Sequence, residues 1–293
     1  MTRLQANLML LTIAAIWGLA FVYQKTAMDH IGPFTFLATR AAIAAIILAP
    51  IAYFWEFSGR ADRPLAGFWL IAGAGGLSFF IGGILQQIGL VTATVTNTGF
   101  LTGLYVVITP LLMWLVLSRP PKALIWVAVA LAFTGTWLLG GGTVGGFSIG
   151  DWLVVASSFF WATHMLVIEH SGRHTRPIGF TAVQFVVVAI ISGSIALGYE
   201  QTTLATLIEA APEIAYVGVL SSALTFTLLA VAMRYTPAAE ATIIVSTETV
   251  FAAIAGVILL GEYLLWIGWV GAALMFSATL IVQLAPGKSS AKR

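Results

Sequence analysis

The chain has 293 residues, of which 60% are hydrophobic and only 8% are charged, and its formal net charge is +2. Soluble domains carry about 25% charged residues, so this composition excludes an ordinary water-soluble protein and indicates that lipid is the main solvent. The small charge, with no basic cluster among aromatic residues, excludes a nucleic-acid-binding protein. The absence of cysteine excludes disulfides, thiolate catalysis and Cys-based metal sites.

Ten apolar runs are each long enough to cross a bilayer, which takes about 20 residues. Backbone groups in lipid must bond internally, and these runs do not alternate as barrel strands do, so we predict an all-α polytopic membrane protein. The predicted spans are 6–27, 33–55, 65–90, 95–117, 123–141, 149–169, 179–198, 213–233, 239–260 and 265–284. The first run is too long for a cleavable signal, and the connections are too short for a soluble catalytic domain.

Lysine and arginine are distributed unevenly between alternate loops. With the N-terminus in the cytoplasm, Lys25 alone of the 13 basic residues lies outside, and Arg40 lies within the second span. The other eleven lie inside: Arg3, Arg60, Arg63, Arg119, Lys122, Arg173, Arg176, Arg234, Lys288, Lys292 and Arg293. This bias follows the positive-inside rule, so both termini are predicted to be cytoplasmic.

The second half of the chain resembles the first. The segments 30–47 and 174–191 match at seven of eighteen positions with an offset of 144, and Trp17 matches Trp161 at the same offset. Near the ends of the halves the offset is 143, where 126–136 and 269–279 share six of eleven residues. Five spans are an odd number, so the second copy enters from the opposite side, which predicts an inverted repeat with a site near the midplane between the halves.

The boundaries follow from this repeat. The first five-helix repeat covers 1–141, a Gly-rich connector covers 142–148, the second repeat covers 149–285 and a basic cytoplasmic tail covers 286–293. The connector region contains G-x-G-x-x-G at Gly140, Gly142 and Gly145. No strand precedes it and no βαβ unit can be drawn, so we interpret it as a flexible link and not as a dinucleotide site.

Three segments carry a resemblance to a known family: AIWGLAFVYQK in the first span, TATVTNTGFLTGLYVVITPLL in the fourth and RYTPAAEATIIVSTETVFAAIAGVILLGE in the ninth. They resemble the EamA-type drug/metabolite transporter superfamily over almost the whole chain, and the fourth span is most similar to the bacterial aromatic amino-acid exporters. The resemblance implies an inner-membrane exporter in which the first four helices of each half surround a cavity. The chain departs from internal symmetry where Glu262 faces Arg119 in the repeat alignment.

Polar and aromatic residues in the third and fourth spans are candidates for the cavity wall. In the third, Phe79 and Gln86 share a helix face with Gly75 and Gly82; the glycines also fit a helix-packing face. In the fourth, a threonine stripe accompanies further candidates, namely Asn97, Phe100 and Tyr105. A polar stripe in lipid faces protein or water, so interhelical bonding is the alternative.

The sixth span places Trp161 and His164 on one face. Tryptophan prefers membrane interfaces, so the mid-span pair Trp17 and Trp161 predicts walls for an aromatic or apolar substrate, with simple packing as the alternative. His164 contacts either a ligand or a structural partner, and no second ligand at suitable spacing supports a metal. Arg40 needs a partner or snorkels to the surface, and Ser221, Ser222 and Thr225 are expected to join helices.

Glu248 lies near the middle of the ninth span, and its repeat counterpart at offset 143 is Tyr105. A carboxylate in hydrocarbon must face the cavity, find a donor or be protonated. It is therefore an ammonium partner for the substrate, a proton-coupling site or a structural hydrogen bonder.

These residues favour a secondary transporter of small metabolites, most of all amino acids, that needs no cofactor, metal or ATPase partner. Asn, Gln, Tyr and His can serve either charged group of a zwitterion. A membrane-embedded enzyme would need several acids, bases or ligands at one depth, and only His164 and Glu248 offer a pair. A lipid-handling or structural protein is the third class, and the polar stripes disfavour it.

Overall fold

The computed structural model describes residues 1–58, 66–139, 141–142, 148–172 and 176–284. The helices of the first half are α1 Arg3–Ala27, α2 Pro33–Ala52, α3 Phe68–Thr92, α4 Val95–Thr102, α5 Tyr105–Leu115 and α6 Ala123–Leu139. Those of the second half are α7 Ile149–Ser171, α8 Pro177–Tyr199, α9 Leu204–Glu209, α10 Ala211–Ala215, α11 Thr225–Ala232, α12 Ala238–Val245, α13 Glu248–Leu260 and α14 Trp266–Leu284. π-helical segments extend α2 over Tyr53–Phe57 and join α10 to α11 over Tyr216–Leu224.

Local sequence explains where several helices begin and end. Capping boxes at Thr2 and Ser148 start α1 and α7 by satisfying free backbone N–H groups. Proline at the first position starts α2 and α8, where its missing N–H costs nothing. Gly261, with φ of 67°, ends α13 in the left-handed conformation that glycine adopts without strain.

Eight helical stretches of the described chain are long and apolar enough to cross a membrane. They are Arg3–Ala27, Pro33–Phe57, Phe68–Thr92, Val95–Leu115, Ile149–Ser171, Pro177–Tyr199, Ala211–Ala232 and Ala238–Leu260. Two of the ten predicted spans form shorter apolar helices, Ala123–Leu139 and Trp266–Val282. Large apolar side chains such as Leu197, Ile190 and Trp69 are exposed on the outside of the bundle, where hydrocarbon would cover them. The structure is therefore that of a polytopic helical membrane protein.

Two of the eight long stretches are interrupted in the middle. The fourth predicted span breaks at Gly103–Leu104, between α4 and α5, and the ninth breaks at Ser246–Thr247, between α12 and α13. At both breaks the backbone makes i→i+3 hydrogen bonds, as in Val107 to Leu104 and Val250 to Thr247, which tighten the helix locally. The two breaks lie 143 residues apart, at matching places in the repeat alignment.

The helix pairs follow the same correspondence between halves. α2 packs on α8, and α6 packs on α14, so that these spans pair with their own counterparts. α3 packs on α7, and α1 correspondingly packs on α11 and the π-helical segment before it. α1 packs on α13, and α7 correspondingly packs on α4 and α5. Most helix–helix contacts therefore remain when each helix is replaced by its counterpart in the other half.

The bundle has two ends, which we name by one residue of each. The Arg3 end holds Arg3, paired with Glu240 at 2.5 Å, and the cluster of Arg119, Lys122 and Arg234 around it. The Glu262 end holds Lys25, whose Nζ donates to the carbonyls of Leu90, Val91 and Ala93 at the end of α3. Five of the described basic residues lie at the Arg3 end and Lys25 lies at the other, whereas Arg60, Arg63, Arg173, Lys288, Lys292 and Arg293 lie outside the described residues.

α2 and α8 are fastened together at both ends by carboxylates at corresponding positions. At the Glu262 end, Glu200 accepts hydrogen bonds from the backbone N–H groups of Phe34 and Thr35, at 2.9 and 2.7 Å. At the Arg3 end, Glu56 accepts from Ile178 and Gly179, at 3.1 and 2.7 Å. Each carboxylate thus caps the first turn of the partner helix, where free N–H groups favour a negative charge.

Candidate functional site

A central cavity of about 430 Å³ lies among helices from both halves. Its lining residues are Trp17, Phe21, Gln24, Arg40, Gln86, Thr102, Tyr105, Trp161, Met165, Ser221, Phe226 and Glu248. Its wall combines apolar surface with a few polar groups, as small-molecule sites do. Two of these groups, Arg40 and Glu248, are ionisable groups of opposite sign.

Glu248 and Tyr105 meet across the two halves. Each is the first residue after a helix break, Tyr105 at the start of α5 and Glu248 at the start of α13. The Tyr105 hydroxyl donates to Glu248 Oε1 at 2.9 Å, and both residues are buried. The two counterparts of the repeat therefore contact each other on the wall of the cavity, where broken helices are known to form sites in other transporters.

Arg40 lies inside the bundle instead of reaching the surface. Its residue is 6% exposed, its Nε donates to Ser222 Oγ at 3.0 Å and its NH1 donates to Gln24 Oε1 at 3.3 Å. Its guanidinium also lies 5.8 Å from the centre of the Phe79 ring, at a distance that suits a cation–π contact. These partners are neutral, and within the described part of the chain no carboxylate pairs with Arg40, whose positive charge lies in the cavity wall.

Gln86 and Thr102 form a further polar pair on the wall, with Gln86 Nε2 donating to Thr102 Oγ1 at 2.7 Å. The neighbouring Gln87 donates to the carbonyl of Gln24 at 3.0 Å, which holds α3 against α1. Among the described residues no group donates to the carboxamide oxygen of Gln86, so this oxygen can accept a hydrogen bond from a ligand.

The two tryptophans at corresponding positions differ in their hydrogen bonds. Trp17 Nε1 donates to the carbonyl of Ser221 at 3.0 Å and to Thr225 Oγ1 at 2.7 Å. Trp161 Nε1 is buried and has no hydrogen-bond partner within the described part of the chain. The counterpart of Thr225 at offset 144 is Ile81, a side chain that cannot accept a bond, which explains why the second indole is unsatisfied.

An aromatic cluster supports this wall. Phe226 packs against Trp17 and Phe79, with ring centres 4.8 Å apart in both pairs, and Phe79 contacts Trp161 at 5.1 Å. His164 lies at the edge of the same cluster, 5.6 Å from Phe79. The cavity is thus bounded on one side by packed rings that connect the two halves.

The structure brings five of the nine sequence-predicted site residues to the cavity: Trp17, Gln86, Tyr105, Trp161 and Glu248. Phe79 lies behind the wall, as a fully buried ring. His164 is buried and its Nε2 pairs with Gln184 Oε1 at 2.5 Å, which is the structural arrangement that the sequence left open. His164 and Glu248 therefore have separate partners.

Two other predicted residues lie away from the cavity lining. Asn97 is half-buried in the first turn of α4, where its backbone N–H donates to the capping Thr94 hydroxyl at 3.0 Å. Phe100 is buried in a small cluster with Leu101 and Val154. Conversely, the cavity includes residues that sequence reasoning did not select as ligands, above all Arg40 with Gln24, and the apolar Phe21, Met165 and Phe226.

A second cavity of about 1090 Å³ lies at the Arg3 end. It lies between the α5–α6 connection, α7 and the start of α12, and its charged lining residues are Arg3, Arg119, Lys122, Glu169, Arg234 and Glu240. Glu169, on α7, lies close to Ala238, the first residue of α12.

A bundle of apolar helices around a central cavity that contains a few polar groups, with two spans broken beside it, defines a helical membrane protein of the transporter class. Comparison with known proteins agrees, because the sequence pattern of the EamA-like transporter family matches residues 4–141 and again 148–284. The chain belongs to this family.

Two related proteins and one solved structure are also similar to this chain. The chain is 32% identical over 291 residues to an uncharacterized transporter of Archaeoglobus fulgidus, covering 96% of this chain and 87% of that protein. It is 25% identical over 300 residues to the uncharacterized transporter YwfM of Bacillus subtilis, covering 96% and 95%. One solved crystal structure has the same fold, with a TM-score of 0.77, 15% identity and coverage of 97% of this chain and 98% of the other.

Proposed function

We propose that this protein is a secondary transporter of small zwitterionic metabolites, in particular amino acids with aromatic or large apolar side chains. The observation that carries the proposal is the presence of Arg40 and Glu248 in one central cavity, each bonded to neutral groups. A zwitterion offers a carboxylate to the guanidinium and an ammonium to the carboxylate, so both charges would be matched at once. The aromatic wall formed by Trp17, Trp161 and Phe226 would contact the side chain.

Three observations support alternating access by two inverted five-helix repeats. The family pattern matches each half separately, the helix contacts are nearly symmetric under exchange of the halves, and the fourth and ninth spans break at corresponding places. Ten spans, with α6 and α14 as the short fifth and tenth, would place the second repeat in the opposite orientation. Export from the cytoplasm across a bacterial inner membrane follows from the resemblance to the exporter branch.

Counterflow in proteoliposomes tests this function. The purified protein is reconstituted with a high internal concentration of one unlabelled amino acid, and entry of the labelled compound is followed for a panel of aromatic, aliphatic and charged amino acids. Transient accumulation of aromatic or large apolar members is expected. Counterflow confined to compounds that lack either charge would overturn the zwitterion assignment, and an ATP requirement would overturn the secondary mechanism.

With ten spans both termini would lie on the same side of the membrane, and the uneven distribution of basic residues favours the cytoplasm. A reporter enzyme that is active only in the periplasm should therefore be silent when it is fused to the C-terminus, because the Arg3 end carries five of the seven described basic residues. The measurement is reporter activity normalised to fusion protein, with a fusion after Gln201 in the connection between α8 and α9 as the positive control. A strong signal from the C-terminal fusion would contradict the ten-span arrangement.

A substitution of Trp161 distinguishes a role in the cavity wall from a role in helix packing. Trp161→Ala is expected to lower transport by roughly tenfold, about 1.4 kcal/mol, and to leave the amount of folded protein nearly unchanged, because its indole N–H holds no other residue. Trp17→Ala is the matched comparison and should also lower the amount of folded protein, because it leaves the Ser221 carbonyl and Thr225 with one partner fewer. Normal transport by Trp161→Ala, or its loss from the membrane, would favour a packing role.

A further inference from the structure

The Glu262 end of the bundle is closed by a contact between the two halves. The carboxylate of Glu262, just after α13, accepts hydrogen bonds from the backbone N–H groups of Val95 and Thr96 at 2.8 and 3.0 Å and from Thr96 Oγ1 at 2.5 Å. A helix N-terminus attracts a carboxylate, and hydrogen bonds to a charged acceptor are strong. The helices that this contact joins, α4 and α13, carry Thr102 and Glu248 on the cavity wall.

The Arg3 end is different at the corresponding place. The repeat alignment places Ala238, at the start of α12, opposite Val95, and Arg119 opposite Glu262. The second cavity, of about 1090 Å³, lies between Arg119 and the first turn of α12. Within the described part of the chain, no ion pair joins Arg119 to an acid. The Arg3 end therefore has a cavity at the place that corresponds to the Glu262 contact, beside the pair of Arg3 with Glu240.

The Arg3 end has a cation, Arg119, where the Glu262 end has an acid, and this reversal of charge still allows the Arg3 end to close. A guanidinium cannot cap a helix N-terminus, because both carry positive charge. The first turn of α12 instead has two acids beside it: Glu169 lines the same cavity as this turn, and Glu240, which pairs with Arg3, lies in the turn itself. Acids therefore lie beside both N-termini, and at the Arg3 end Arg119 lines the same cavity as Glu169 and has the opposite charge.

The backbone allows one wall of the cavity to move while the other is held. α4 and α12 are half-helices separated from α5 and α13 by the breaks at Gly103–Leu104 and Ser246–Thr247, and such breaks within a helix are suited to act as hinges. On the opposite side, Glu56 and Glu200 fasten α2 to α8 at both ends. Motion is thus confined to the side that holds Glu262 and Arg119.

We propose that Glu262 and Arg119 are the two gate residues of the alternating-access cycle, a proposal that rests on the transport mechanism proposed above. Glu262 holds α4 and closes the Glu262 end, as in this structure. When α4 is released, α12 swings toward the first half and Arg119 pairs with Glu169, beside the existing pair of Arg3 with Glu240, which closes the Arg3 end. Each gate forms only when the other is broken, so the central cavity opens to one end at a time.

Spin-label distances in lipid nanodiscs, without substrate, test this proposal. The chain has no cysteine, so labels can be placed without background at Asn97 and Tyr263 across the Glu262 end, and at Leu117 and Tyr235 across the Arg3 end. Glu262→Ala should add a longer component to the first pair and a shorter component to the second. We expect the ratio of these components to the native ones to rise about tenfold, because three hydrogen bonds to a carboxylate are lost.

Two variants and one control make the test decisive. Thr96→Val removes one of the three bonds and should shift both pairs in the same direction, to a smaller extent, so it replaces Glu262→Ala if that variant does not fold. Adding Arg119→Ala to the gate variant should remove the short component at the Arg3 end. Glu209→Ala removes an exposed carboxylate that pairs with His30 at the same end and should change neither distance.

Unchanged distances in Glu262→Ala and Thr96→Val, as in Glu209→Ala, would overturn the gate proposal. A short component that persists in the Arg119→Ala double variant would overturn the role of Arg119. The outcome is independent of the substrate assignment, because no substrate is present: distances that respond without amino-acid counterflow would reject the substrate class alone, and counterflow with fixed distances would reject the gates alone.

Discussion

Arg40→Gln is expected to lower kcat/KM for a zwitterionic amino acid by about 100-fold or more. Removing one member of a buried, hydrogen-bonded charge pair costs about 2–5 kcal/mol in binding, and 1.4 kcal/mol corresponds to tenfold. Arg40 is the cation on the cavity wall, and its Nε and NH1 are anchored by Ser222 and Gln24 at 3.0 and 3.3 Å. The guanidinium is therefore positioned before a carboxylate arrives.

Substrate analogues separate this role from a structural one. The wild-type protein should prefer an amino acid to the amine that lacks its carboxylate, and Arg40→Gln should lose this preference, because the group that reads the carboxylate is gone. Arg176→Gln is the matched control: Arg176 is also buried and lies over the Phe57 ring at 4.8 Å, away from the cavity lining. A preference that survives in Arg40→Gln, at any level of transport, would contradict the assignment.

Arg40 also illustrates what the sequence could not predict. Its place near the start of the second span is compatible with a side chain that snorkels to the surface. The structure differs because α2 packs against α8 and against the π-helical segment before α11, and this packing turns Arg40 toward Ser222 and Gln24 inside the bundle. Such pairings depend on tertiary packing, and the helical periodicity within one span contains no information about them.

The broken spans and the carboxylate caps had signals in the sequence that were missed. Glu56 and Glu200 are identical at the offset of 144 that relates Trp17 to Trp161, although neither lies in the segments that match best. Gly103 is a known weak point for a helix, but its counterpart Ser246 is not a helix breaker. The repeat alignment predicted that Tyr105 and Glu248 correspond, and only the fold shows that they touch.

His164 was a candidate for ligand contact in the sequence, and in the structure it has a structural partner. Its spacing from Trp161 indicated a shared face, and the structure does place both in the aromatic cluster. The imidazole nevertheless pairs with Gln184, the repeat counterpart of Arg40. Where the first half has the cation Arg40, the second half has the neutral pair of Gln184 and His164. Because of this asymmetry, Arg40 is the cation of the central cavity.

Glu248→Gln is expected to reduce amino-acid flux on the order of 100-fold while the protein folds normally. The substitution keeps the shape of the side chain and an oxygen that can accept the Tyr105 hydroxyl, which lies at 2.9 Å, but it removes the charge that an ammonium group would need. Loss of such a charge partner costs about 2–5 kcal/mol. The measurement is counterflow at several pH values, together with the amount of monodisperse protein extracted from the membrane.

Tyr105→Phe distinguishes the three roles of Glu248 because it removes the hydroxyl and leaves the carboxylate. If Glu248 binds the substrate ammonium, Tyr105→Phe has a mild effect, and Glu248→Gln loses the preference for an amino acid over the acid that lacks its amino group. If Glu248 couples protons, Glu248→Gln retains that preference and loses the pH dependence of flux. If it is structural, the two variants are equally destabilised, because both weaken the hydrogen bond between Tyr105 of α5 and Glu248 at the start of α13. We expect the first pattern, since Arg40 already supplies the opposite charge in the same cavity, and unchanged flux and preference in Glu248→Gln would leave the zwitterion without its second partner.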